Sequence, residues 1–106
     1  MNKSEINWQG GVVTYWSLDE LDIKKEILGQ LDLFKEDLAQ VCYENIITLN
    51  LGYYPEFHPQ GRFVLEVAKS ENWENPILRL ESRTAAKLVK DLNEGARIAH
   101  DAVSMS

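Results

Sequence analysis

One cysteine and two histidines are the residues here from which a thiolate–imidazole pair could be assembled. Cys42 with His58 or His100 has the chemistry of such a pair. Nothing local marks it, however. Cys42 sits inside the alternating run from Leu38 to Tyr43, where a buried structural thiol is the default. His58 lies in a loop between Phe57 and Pro59, with Glu56 as its only close acidic neighbour. Metal sites instead present several ligands at defined intervals. Asp19, Glu20 and Asp22 lack the glycine and the spacing of a calcium loop. Gly10-Gly11 lacks the lysine and second glycine of a phosphate-binding loop. The sequence assigns no catalytic residue, no metal and no cofactor, and the chain reads as a non-enzyme.

Charge narrows the remaining classes. Seventeen acidic side chains stand against eleven basic ones, for a net charge of −6. Nonspecific binding to nucleic acid or to an anionic membrane needs a cationic surface, so both are disfavoured. The aromatics Tyr53, Tyr54 and Trp73 have no basic residues interleaved with them, as single-strand binding would require. An acidic surface suits steering toward a basic partner. Ser17 to Asp37 alone holds seven acids and three lysines, a net −4.

The elements that must position these groups are legible from periodicity. Ile47, Leu49, Leu51 and Tyr53 alternate with Thr48, Asn50, Gly52 and Tyr54, and Phe63, Leu65 and Val67 alternate with Val64, Glu66 and Ala68. Each run offers one apolar face, as a half-buried strand does. Pro55 to Gly61 contains two prolines and a glycine and must be the connection. Val12 to Trp16 predicts a short edge strand, Leu38 to Tyr43 a further strand, and Glu44-Asn45 a tight turn between that strand and Ile46. Pro76 opens a further strand over Ile77 to Glu81 after a polar loop around Trp73.

Two helices are expected. Ser17-Leu18-Asp19-Glu20 has the form of a capping box, with Trp16 and Leu21 at staple spacing, and predicts a helix starting near Leu18. Its inner face would be Ile23, Ile27, Leu31 and Phe34, flanked by Leu21 and Leu28. Ser82 or Thr84 would cap the last helix, whose stripe is Ala85, Leu88, Val89, Leu92, Ala96 and Ala99; Gly95 would favour fraying toward His100. The expected fold is α+β: a mostly antiparallel sheet of four to five strands, two helices packed on one face, in the order β-α-β-β-β-β-α. The 106 residues make a single domain, with 1–10 read as a flexible polar lead. No secretory signal follows the polar start and no apolar run approaches membrane-spanning length, so the expected location is the cytoplasm.

Three stretches carry a resemblance. Lys35-Glu36-Asp37-Leu38-Ala39-Gln40-Val41, then Gly52-Tyr53-Tyr54-Pro55-Glu56-Phe57 with Gly61 and Phe63, and Trp73-Glu74-Asn75-Pro76 together resemble small bacterial immunity proteins that accompany polymorphic toxins. Contact-dependent growth inhibition systems are one such setting. The likeness spans roughly Ser17 to Leu92 and implies a cytoplasmic, non-enzymatic inhibitor of one cognate toxin domain, often a nuclease. It would act as a monomer in a one-to-one complex.

Two surface patches then become candidates. Asp19, Glu20, Asp22 and Glu26 would steer from the first helix; Tyr54, Glu56, Glu71, Trp73 and Glu74 would combine aromatic anchors with carboxylates on the loops. The alternative is a small regulatory or accessory subunit that assembles through the sheet edge at Val12–Trp16.

Overall fold

The alternating positions from Ile47 to Lys69 form the central hairpin in a computed structural model that describes residues 1–105. The strands are β1 (Val12–Trp16), β2 (Ala39–Tyr43), β3 (Ile47–Tyr54), β4 (Arg62–Lys69) and β5 (Leu78–Ser82), and a 20-residue helix α1 (Ala85–Ser104) follows. The sheet is antiparallel throughout, in the spatial order β1-β2-β3-β4-β5. This is the expected α+β fold. Among the described residues, no helix is long and apolar enough to cross a membrane.

Strand alternation decides which face is covered. Ala39, Val41, Tyr43, Ile47, Leu49, Leu51, Tyr53, Phe63, Leu65 and Val67 are all buried, and α1 lies over β2 to β5 on that side. Thr84 caps α1, its hydroxyl accepting from the Lys87 N–H at 3.2 Å. The helix then presents Ala85, Leu88, Leu92, Gly95, Ala96 and Ala99 to the sheet. Gly95 does not begin a frayed end. A Cβ there would lie 2.9 Å from Leu65 Cδ2 and 3.0 Å from Leu49 Cδ1, so the glycine lets helix and sheet approach closely at this point. The β2–β3 turn is the expected one, with Glu44 and Asn45 both at positive φ (52° and 58°).

The first helix differs from expectation. No α-helix starts at Leu18; residues 17–26 form turns, and a 3-10 helix over Ile27–Leu33, interrupted at Gln30, occupies the first helical position. Side chains divert the backbone. Ser17 does not cap: its N–H and its hydroxyl both donate to the Leu38 carbonyl, at 2.9 and 3.2 Å. The Gln30 amide accepts from Asp22 N–H at 2.8 Å and donates to the Asp22 and Glu26 carbonyls at 3.0 and 3.2 Å. Such side-chain bonds offer backbone groups an alternative to the helical ladder. Leu18, Leu21 and Phe34 still reach the core, whereas Ile23 and Leu28 are left 37% and 60% exposed. Trp16 does not staple a helix; it meets Trp8 edge-on at 5.7 Å and donates to the Met1 carbonyl at 3.1 Å. Residues 1–10, expected as a polar lead, contribute Met1 and Ile6 to the core.

Candidate partner-binding surface

Phe34, Tyr53 and Phe63 pack as three rings with centroids 4.9–5.1 Å apart at one end of the sheet. They anchor the chain that crosses this end. Leu38 N–H donates to Leu51 at 2.9 Å, Tyr53 N–H to Lys35 at 3.0 Å, and Phe57 N–H to Phe34 at 2.9 Å. Residues 34–38 therefore run beside the end of β3, which brings Glu36 and Asp37 next to Tyr54. Gly52 makes the approach possible, since a Cβ there would collide with the Glu36 carbonyl and with the Tyr54 ring. The Tyr53 hydroxyl donates to the His58 carbonyl at 2.7 Å and ties the Pro55–Gly61 loop to β3, while His58 Nδ1 accepts from Gln60 N–H at 3.0 Å within the loop.

What this end displays is aromatic and acidic. Tyr54 is 39% exposed and Phe57 46% exposed, the latter held outward at a φ of 59°. Burial of part of its ring, followed by the nearby charges of Asp37, Glu36 and Glu66, raises the Tyr54 pKa above the ordinary phenol value. Glu56 adds a fourth carboxylate, and Lys35 lies in the same strip. The carboxylates outnumber the nearby cations, Lys35 and the Arg62 that faces Tyr54 and is held by Glu81, so the strip can desolvate an aromatic contact while attracting cationic side chains.

The predicted site residues are only partly brought together. Tyr54 and Glu56 fall in this strip. Glu71, Trp73 and Glu74 sit in the β4–β5 loop at the opposite end of the sheet, about 23 Å away at roughly 3.3 Å per residue over the length of β3. The loop patch is therefore two surfaces. Trp73 is half-buried there and lies outside the core cluster. Asp19, Glu20, Asp22 and Glu26 occupy the turns before the 3-10 helix and form no helical stripe. The Asp22 carboxylate accepts from Lys24 N–H at 2.9 Å and so closes a turn of its own.

Glu36, Asp37 and Glu66 were missing from the predicted set. The paired strands point toward the first two, although the ladder stops at Ala39↔Leu51 and the chain before it is offset, with Tyr53 N–H bonded to Lys35 and the Glu36 carbonyl over Gly52. No comparable local signal marks Glu66, which pairs with Asn50 and Arg79 across the open face. On that face Glu81 holds the guanidinium groups of both Arg62 and Arg79. Compared with protein-family models, curated proteins and solved structures, the chain finds no match.

Proposed function

We propose that this protein is an immunity protein that binds and neutralises a cognate toxin domain, a basic nuclease in the simplest case. It would act in the cytoplasm, without catalysis, as a monomer in a one-to-one complex. The observation that carries the reading is the strip at the β3–β4 end: exposed Tyr54 and Phe57 among Glu36, Asp37, Glu56 and Glu66, on a chain of net charge −6. Nuclease domains are basic around their substrate groove, so this surface offers both steering and anchors. The resemblance in the Lys35–Val41 and Gly52–Phe57 stretches supports the same reading.

The test is affinity capture of tagged protein from its native cells through moderate salt. Recovery of one basic toxin fragment at equal stoichiometry supports the proposal; recovery of no toxin domain, or of many unrelated proteins, rejects it. The alternative of assembly through β1 is less favoured. The β1–β2 register shifts between Val13 and Tyr15, and Thr14 Oγ1 bonds to the Gln40 backbone and side chain. A bulge of this kind blunts an edge against further pairing.

A further inference from the structure

A groove of about 640 Å³ opens between residues 23–28, the Pro59–Gly61 turn and the start of α1. Its floor is Tyr53, and its near wall is Ile23, Ile27 and Leu28. The wall exists because the Gln30 amide holds the backbone at Asp22 and Glu26 and stops it from winding inward. Ile23, which helical spacing would have buried, and the flanking Leu28 are thereby left facing solvent at the groove.

The rim has the opposite charge to the rest of the molecule. Lys24, Lys25 and Arg83 line it against the single acid Glu26, in a chain whose overall charge is −6. Among the described residues, none of these three cations enters a salt bridge. The adjoining first turn of α1 contains no acidic side chain to offset the positive end of the helix. The Tyr53 hydroxyl already donates to the His58 carbonyl, so the tyrosine offers the groove its ring and no free donor proton. A groove of this volume holds a few side chains.

We propose that this groove docks a short acidic-aliphatic peptide segment of a protein partner, in which leucine-like side chains enter against Ile23, Ile27 and Leu28 while neighbouring carboxylates meet Lys24, Lys25 and Arg83. The surface is separate from the acidic strip and the inference does not depend on toxin neutralisation.

The experiment is fluorescence anisotropy on the full chain with three labelled hexapeptides, alternating leucine with glutamate, leucine with lysine, or serine with glutamate. Saturable binding of the leucine–glutamate peptide alone is expected. It should weaken at least about tenfold, a factor a single well-placed contact supplies, both in Lys24→Glu/Lys25→Glu and in Leu28→Ser. Both variants alter exposed positions, and circular dichroism establishes that they fold. Absence of saturation, equal binding of the leucine–lysine peptide, or affinity unchanged in both variants overturns the proposal. Concentration-dependent self-association in sedimentation that Leu28→Ser abolishes also overturns it, and assigns the groove to a second copy of the chain.

Discussion

Two tyrosines set the predictions at the scale of single residues. The Tyr43 hydroxyl is buried with no hydrogen-bond partner among the described residues, and burial pushes its pKa up to about 12 from 10.0. The folded state therefore favours the neutral phenol: this contribution is complete below pH 10 and is lost as pH rises through 12. Tyr43→Phe removes an unsatisfied buried group and should raise stability by up to about 1 kcal/mol at neutral pH. It should also flatten the loss of stability above pH 10, both read from denaturant titrations at several pH values. Tyr54 is raised by burial and by three carboxylates. Asp37→Asn should lower its pKa in a spectrophotometric titration, and an unchanged value would remove Asp37 from the cluster. In the proposed complex Tyr54→Ala should cost about 2 kcal/mol of binding, the range of a central aromatic anchor, measured by calorimetry.

At the scale of elements, the glycines where backbones meet make the sharper tests. Gly95→Ala gains about 1 kcal/mol of helix propensity. Its methyl must push against Leu65 and Leu49, and overpacking of this kind costs about 1–3 kcal/mol. Net destabilisation is expected in thermal unfolding; a more stable variant would mean that the leucines yield. The strands were legible because period-two alternation directly records which face is buried, as Ile47 to Tyr53 and Phe63 to Val67 show. The last helix was legible because its apolar stripe and Thr84 cap agree. The first was misread because its capping pattern and 3.6-residue spacing are local signals. The bonds that overrule them are particular side-chain contacts, Ser17 to Leu38 across 21 residues and Gln30 to Asp22 across eight, which capping pattern and apolar spacing do not encode. The candidate strip was half legible, since Tyr54 and Glu56 share one local stretch while Glu36 meets Tyr54 only where the chain before β2 crosses the end of β3.

The whole molecule separates its charged surfaces, and kinetics can tell them apart. Charge reversal at Glu36 and Glu56 should slow association with the proposed toxin, most strongly at low salt, whereas reversal at Glu71 and Glu74, on the far end of the sheet, should leave the rate within about twofold. Stopped-flow measurement across ionic strengths decides between the two ends. The meander has a consequence of another kind. Each strand bonds only to its neighbours in sequence, so β3 is held on both sides while β1 is held on one, through a register broken at Thr14. Local opening should then follow a gradient across the sheet. In deuterium, the β1 amides should exchange long before those of Leu49 and Leu51, and a bound partner at the β3–β4 end should leave the exchange at β1 untouched.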